Sequence, residues 1–130
     1  MSCDAAAVLL PDDGGRDLRV YALDFSERRW LVQEGDLVSI DNSPLGPSFR
    51  SGKPVVMGPE DLRKAYPECA TTGNGEWIKA KCFIPLLGRG RCIGILVLVR
   101  SSGNNFSEDE IRFLVQVAGQ VSIAVENAHA

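Results

Sequence analysis

Two strand-length apolar runs lie close together in the second half of the chain, at residues 80–87 and 92–99. Only the segment Gly88-Arg89-Gly90-Arg91 separates them. Apolar runs on both sides of a short glycine-containing segment indicate a β-hairpin. If Leu87 pairs with Cys92 across this turn, Cys82 lies opposite Val97.

The two strands of this hairpin are expected to be apolar on both faces. Alternation places one set of side chains on one face: Cys82, Ile84, Leu86, Ile93, Ile95 and Val97. The other face receives Phe83, Pro85, Gly94, Leu96 and Leu98. A sheet that is apolar on both faces must be covered twice. We therefore expect helices on one face, and short helices and loops on the other, where a pocket could form.

A long helix is predicted directly after the hairpin. Ser107 can cap it, Glu110 can complete a capping box, and Phe106 can pack onto Ile111. One stripe at helical spacing is predicted to face the core: Ile111, Leu114, Val115, Ala118, Val121, Ser122 and Val125. A second stripe on another face consists of Phe113, Val117 and Ala124. Two apolar stripes require two partners, so we expect the second to meet another helix, from a neighbouring subunit or from sequence not present here.

The first half of the chain is punctuated by turn signals. Apolar runs at 4–10 and 18–23 around the turn 11–15 predict a second hairpin. Short strands are predicted at 36–40 and 54–57, and short helices at 45–51 and 59–66. Residues 67–75 are the least regular part of the chain and are expected to form a mobile or ligand-gating loop.

Composition is that of one globular domain covering 1–130, with 45% hydrophobic and 24% charged residues. The net charge is −3 and the basic residues are scattered, which argues against direct binding to nucleic acid. No apolar run approaches the roughly 20 residues that span a bilayer, so no membrane segment is expected.

The four cysteines, at positions 3, 69, 82 and 92, include no Cys-x-x-Cys pair, and the chain has a single histidine. A zinc site built from cysteine and histidine therefore lacks its usual spacing, and no metal or other cofactor is required by the sequence. With no signal peptide ahead of them, the thiols are expected to be reduced, in a cytoplasmic protein.

Four segments in register resemble a GAF domain. They are Cys3-Asp4-Ala5-Ala6-Ala7, residues 41–56, Ile84-Pro85-Leu86 with Gly94, and Phe106-Ser107-Glu108-Asp109-Glu110. Residues 10–12, 18–25, 88–91 and 118–128 are more narrowly similar to GAF domains of the formate hydrogenlyase activator type, found in sigma-54-dependent transcriptional regulators. Similar GAF modules also occur in sensor kinases.

This resemblance implies an α+β fold. An antiparallel sheet of about six strands would carry a long C-terminal helix on one face and a small-molecule pocket under short helices on the other. It also implies a sensor that controls an AAA+ ATPase or a kinase domain in the parent chain. GAF domains usually carry a helix before the first strand, so this chain is expected to be an excerpt that lacks it, together with the downstream effector domains.

Six residues are candidates for contact with a small ligand: Phe49, Arg50, Tyr66, Trp77, Lys79 and Cys82. Arg50 suits a small anion because a guanidinium pairs well with carboxylates, although it also fits an ordinary solvated helix end. The three aromatic residues either line the pocket or fill the core. Lys79 and Lys81 alternate on one strand face, and either flank the pocket or only reach solvent.

Other chemistries of the family are disfavoured by the residues present. Residues 104–110 lack the lysine of cyclic-nucleotide-binding GAF domains, and no Cys-His pair exists to attach a bilin. Cys82 lies near the cysteine of iron-binding relatives, but the acidic residues are missing and a core role fits better. Cys69 could serve as the nucleophile of a free methionine-(R)-sulfoxide reductase, a GAF-fold enzyme, yet the second thiol of that family is absent.

The sequence therefore favours a non-catalytic GAF sensor of a bacterial regulator. A ligand would shift the packing of the last helix, and homodimers would form through helices at Phe113, Val117 and Ala124. The alternative is a GAF domain that binds no ligand and acts as a dimerisation module.

Overall fold

The computed structural model describes residues 5–12, 16–25, 35–70 and 77–128. The elements follow in the order β1 Ala5–Pro11, β2 Asp17–Phe25, β3 Leu37–Ser39, α1 Gly46–Ser51, β4 Val55–Met57, α2 Pro59–Ala65, a single 3₁₀ turn at Pro67–Cys69, β5 Ala80–Gly88, β6 Arg91–Arg100 and α3 Glu108–Ala128. The strands and α-helices match those predicted from the pattern of apolar residues, whereas the 3₁₀ turn falls in the segment 67–75 that was expected to be irregular. Residues 71–75 of that segment and residues 13–15 of the first turn lie outside the described residues.

All strands belong to one antiparallel sheet of six strands in the order β3-β2-β1-β6-β5-β4. The two predicted hairpins lie side by side, because β1 pairs with both β2 and β6. The three-residue strands β3 and β4 form the edges. Short edge strands offer few unpaired backbone groups to other chains. The α+β architecture expected from the sequence is confirmed.

The central hairpin turns through Arg89 and Gly90, whose φ angles are 52° and 78°. Positive φ at both central residues matches the twist of the flanking strands. The predicted pairing of Leu87 with Cys92 is confirmed, but a bulge follows between Leu86 and Leu87, so that Cys82 pairs with Leu98 and not with Val97.

This one-residue shift moves part of β6 to the other face. Ile95 and Val97 pack with Phe83, whereas Leu96 and Leu98 pack with Cys82 and Ile84. The predicted face assignment is therefore wrong for these four β6 residues. A bulge places two residues opposite one and reverses the alternation beyond it, and the apolar pattern carries no mark of it.

Helix α3 begins with the predicted capping box. The Glu110 amide donates to Ser107 Oγ at 3.2 Å, and the Ser107 amide donates to Glu110 Oε1 at 2.9 Å. The buried Arg100 guanidinium at the end of β6 donates through both terminal nitrogens to the Glu110 carboxylate. It also stacks on the Phe106 ring at 4.1 Å from the centroid. The last central strand is thus fastened to the first turn of the helix.

Helix α3 covers one face of the sheet, mainly over β5. Leu114, Ala118 and Ser122 are fully buried there, and the Ser122 hydroxyl donates to the Ala118 carbonyl at 2.9 Å. Two parts of the predicted helix pattern need correction. Val115, expected in the core, is 45% exposed, and Val117, expected on the second stripe, packs half-buried against the sheet. Phe113 and Ala124 are exposed, as a second stripe requires.

Candidate functional site

A cavity of about 310 Å³ lies on the face of the sheet opposite α3. Its floor is formed by β1, β5 and β6, and its sides by the segment before α1 and by the 3₁₀ turn. The lining residues are Ala5, Ala6, Ala7, Leu9, Val20, Val38, Ser43, Pro44, Leu45, Glu68, Cys69, Ile78, Lys81, Phe83, Val97 and Val99. This volume is at the lower end of the range for small-molecule sites, and the mostly apolar walls are typical of them.

Small side chains on β1 leave the space open. Ala5 and Ala7 face the cavity from a strand that is paired on both sides, where larger aliphatic residues would otherwise fill the core. Neighbouring Leu9 and Val20 close the apolar wall. In the sequence, the run of alanines at 5–7 within an apolar strand corresponds to this space, but the apolar pattern predicted only a strand there.

The roof beside the cavity is held firmly to the sheet. Ser48 of α1 is completely buried, and its hydroxyl lies 2.7 Å from the Lys53 carbonyl and 3.2 Å from the Phe83 carbonyl of β5. Gly46 packs so closely that a β-carbon there would lie 2.2 Å from the Ile40 carbonyl oxygen. Because α1 has so little room to shift, the cavity is preformed at this side.

Two charged side chains, Glu68 and Lys81, are found among the described residues of the lining. Glu68 is exposed at the rim, whereas Lys81 is half-buried on β5. Burial lowers the pKa of the Lys81 amine, and the negative charge of an ionised Cys69 would raise it. Burial also raises the pKa of the Cys69 thiol, against the opposing influence of Lys81. A protonated thiol is a poor nucleophile, so burial does not activate Cys69.

Comparison with known proteins identifies the family. A family model described as "GAF domain" matches residues 1–126.

The chain belongs to the GAF family.

Relatives of this GAF domain include a transcriptional regulator. This chain is 23% identical over 129 residues to the formate hydrogenlyase transcriptional activator of Salmonella typhimurium, and the alignment covers 98% of this chain and 19% of that protein. The chain thus spans about a fifth of the length of the curated relatives it matches.

Solved structures show the same fold. The GAF domain of a phosphoenolpyruvate-protein phosphotransferase from Coxiella burnetii superposes with a TM-score of 0.79 at 22% identity, over 98% of this chain and 74% of that one. A type II free methionine-R-sulfoxide reductase from Thermoplasma acidophilum gives a TM-score of 0.72 at 12% identity, over 96% and 80%. At such identities the likeness establishes the fold alone, which the reductase and the GAF domain of the phosphotransferase share.

The residues predicted to contact ligand are dispersed around this GAF domain. Phe49 and Tyr66 are half-buried and pack against the apolar cluster that borders the cavity, without lining it. Arg50 is exposed and pairs with Asp41, with 3.0 Å between Nη1 and Oδ1. Cys82 lies on the opposite face of the sheet, under α3, where burial raises its pKa to about 12.

Trp77 and Lys79 are exposed and lie outside the cavity lining. Trp77 is 54% exposed, and the Arg63 guanidinium stacks over its ring at 3.9 Å from the centroid. Lys79 is exposed and borders a shallow groove along α2 and β4. The two lysines were predicted to share one strand face, but Lys79 precedes β5 and lies outside the cavity lining, which Lys81 joins. Cys69, considered as a nucleophile, also lines it.

Within residues 5–12, 16–25, 35–70 and 77–128, no group of three or more His, Cys, Asp or Glu side chains is arranged to hold a metal ion. In the same part of the chain, no helix combines the length and the apolar character needed to cross a membrane.

Proposed function

We propose that this GAF domain is a non-catalytic sensor that binds a small molecule in its apolar cavity and regulates an attached effector through α3. The observation that carries the proposal is the preformed cavity of about 310 Å³ on the face of the sheet opposite the helix. The effector would be the AAA+ ATPase of a transcriptional activator or a kinase, in the cytoplasm. Similarity to a formate hydrogenlyase transcriptional activator supports this context.

Strand β5 offers a route from the cavity to the helix. Lys81 and Phe83 point into the cavity, whereas Cys82 and Ile84 on the same strand pack under α3. A ligand that displaces β5 or β6 would therefore also alter the surface on which α3 rests. Such a ligand biases the helix only if it binds more tightly to one helix arrangement than to the other.

The ion pair between Arg100 and Glu110 supports the same route. It joins the end of β6, whose Val97 and Val99 line the cavity, to the first turn of α3. A shift of β6 would reach the helix through this contact. In the parent chain, the end of α3 leads towards the proposed effector.

A thermal-shift screen against small metabolites, followed by hydrogen exchange, tests the sensor proposal. A true ligand raises the melting temperature, and above its Kd the rise grows with the logarithm of the ligand concentration. Ala7→Leu, which fills the cavity, should abolish that rise, whereas Ala65→Leu at the exposed end of α2 should leave it intact. On binding, amide exchange should change in β5 and in the first turn of α3. A rise that survives in Ala7→Leu would place the ligand elsewhere and contradict the proposal.

Dimerisation through α3 is the second candidate function. Phe113 and Ile123 are 55% and 56% exposed, and residues 113–125 contain no charged side chain. An exposed helix surface that combines apolar residues with no charge favours a partner helix. We therefore propose that Phe113 and Ala124, with the flank of Val117, contact a second helix. Sedimentation should show a dimer that Phe113→Glu disrupts, whereas Arg112→Glu, a charge change beside it, should be tolerated.

Catalysis by Cys69 is the less favoured alternative. Burial raises the pKa of the Cys69, Cys82 and Cys92 thiols, so none of these three described cysteines is activated as a thiolate. The reductase proposal predicts turnover of free methionine sulfoxide that Cys69→Ser abolishes. We expect no turnover by the unaltered chain.

A further inference from the structure

Lys81 is the one cationic side chain among the described residues of the cavity lining. Alternation along β5 aims it to the same side as Phe83, and the sheet register places it opposite Val99. The remaining walls are almost entirely apolar. The other polar side chains of the lining offer little, because the Ser43 hydroxyl already donates to the Ser39 carbonyl. The cavity therefore combines a large apolar surface with a single positive charge.

We propose that the ligand is an apolar monocarboxylate, whose hydrocarbon body fills the cavity and whose carboxylate pairs with the Lys81 ammonium. This inference rests on the proposed sensor function and names the class of ligand at the same site. A volume of 310 Å³ accommodates about ten non-hydrogen atoms, if each takes the ~30 Å³ of a molecule in liquid water. Medium-chain alkanoates and phenylalkanoates have this size and a single negative charge.

Smaller and more polar anions fit the cavity poorly. Formate has no hydrocarbon body and would leave the apolar walls uncovered. A phosphate ester or nucleotide carries more charge and more acceptor oxygens than one lysine can satisfy, and leaving them buried without partners is costly. Glu68 also lines the cavity, but its side chain is exposed at the rim, where solvent weakens its repulsion of a bound carboxylate.

Burial of Lys81 strengthens the case for an anionic partner. Burial lowers the pKa of this amine, which means that the ammonium has lost hydration. A carboxylate that enters the cavity replaces the lost hydration with an ion pair. The methylene stem of Lys81 adds to the apolar wall and holds the charge at one end of the cavity.

Isothermal titration calorimetry with octanoate and octanamide tests the inference. The two compounds have the same shape, but the amide carries no charge. We expect saturable binding of octanoate to the 130-residue chain and binding of octanamide that is about 30-fold weaker, the smaller of the losses seen when one partner of a buried charge pair is removed. Equal affinity for the two compounds would refute the role of the charge.

Matched lysine variants assign the charge to a residue. Lys81→Met should weaken octanoate binding about 30-fold. Lys79→Met removes the same charge two residues away, outside the cavity, and should bind octanoate like the unaltered chain. Equal affinity in the two variants would overturn the assignment. If Lys81→Met fails to fold, as judged by circular dichroism, the comparison of octanoate with octanamide on the unaltered chain decides.

The two proposals fail in different ways. Octanamide that binds as well as octanoate, and is excluded by Ala7→Leu, would refute the carboxylate but retain a ligand-binding cavity. If neither compound binds, the carboxylate inference is wrong. The sensor function then requires that another class of small molecule binds in the thermal-shift screen and is excluded by Ala7→Leu. If no class does so, the sensor function is refuted as well.

Discussion

Filling the cavity should stabilise this GAF domain while it abolishes ligand binding. Ala7 is 8% exposed and lines the cavity from the central strand β1. Ala7→Leu adds three carbon atoms, and at about 0.8 kcal/mol for each buried carbon the upper limit of the gain is about 2.4 kcal/mol. Loss of side-chain entropy and imperfect fit reduce this gain to about 1 kcal/mol. For a chain of this size, that corresponds to a rise in melting temperature of about 4 °C.

Differential scanning calorimetry of the ligand-free chain measures this change. Ala65→Leu is the matched control, because Ala65 is exposed at the end of α2 and the substitution buries nothing. It should alter the melting temperature little, since alanine and leucine have similar helix propensities. The changes in melting temperature of the two variants should therefore differ in sign or size, although both replace alanine by leucine.

Destabilisation of Ala7→Leu by more than about 1 kcal/mol would refute the reasoning, because it would show overpacking of a filled core. Stabilisation with unchanged ligand binding would contradict the assignment of the cavity as the ligand site. The expected pair of results, a higher melting temperature and lost binding, is the trade-off that an open functional cavity entails.

Three further predictions concern other parts of the molecule. The hydrogen bond from Arg100 lowers the pKa of Glu110 from 4.5 to about 2, so its contribution to stability is complete above pH 4.5 and is lost as the pH falls towards 2. Urea unfolding of Glu110→Gln between these pH values should show a weaker dependence on pH, and an unchanged slope would refute the role of this pair. Ser48→Ala should lower the free energy of unfolding by about 1–3 kcal/mol, because it removes the buried donor to the Lys53 and Phe83 carbonyls, whereas Ser102→Ala on the surface should change little in the same urea titration. Cys82, with a pKa of about 12 and no exposed surface, should react with a thiol reagent only as fast as the chain unfolds, and rapid labelling of Cys82 on peptide mapping would show that α3 opens locally.

The elements of this fold could be read from the sequence because their signals are local. The turn at 88–91 and the Ser107–Glu110 capping box specify the central hairpin and the start of α3 within a few residues. The bulge at Leu86 could not be foreseen, because both strands are apolar on both faces and no alternation marks the register. Spacing alone assigns Val115 to the core stripe, but the α3 residues buried against the sheet are Leu114, Ala118 and Ser122, and Val115 is 45% exposed.

The candidate site was harder to predict for a chemical reason. Arg50 and Trp77 were chosen because their side chains can bind ligands, but Arg50 pairs with Asp41 and Trp77 stacks with Arg63 at the surface. The cavity exists because the side chains of Ala5 and Ala7 are small. Its charge comes from Lys81, which the sequence does not distinguish from Lys79, two residues earlier, although Lys79 borders a different groove. The alanines mark where side-chain volume is small, but three-dimensional packing decides whether neighbouring side chains fill that space.

Two ion pairs of unequal burial hold helix α3 near its two ends, so a tilt of the helix would be amplified along its length. Near its start, Glu110 is paired with the buried Arg100, whereas near its end Glu126 is paired with the exposed Arg89 of the hairpin turn, with 3.4 Å between the charged atoms. The anchors lie sixteen positions apart along the helix, a rise of about 24 Å. A pivot of about 5° at the first anchor would therefore displace the far end by about 2 Å, which is enough to break the contact with Arg89. A small displacement at the cavity would therefore produce a larger displacement at the end of the helix, which would change the position of an attached domain.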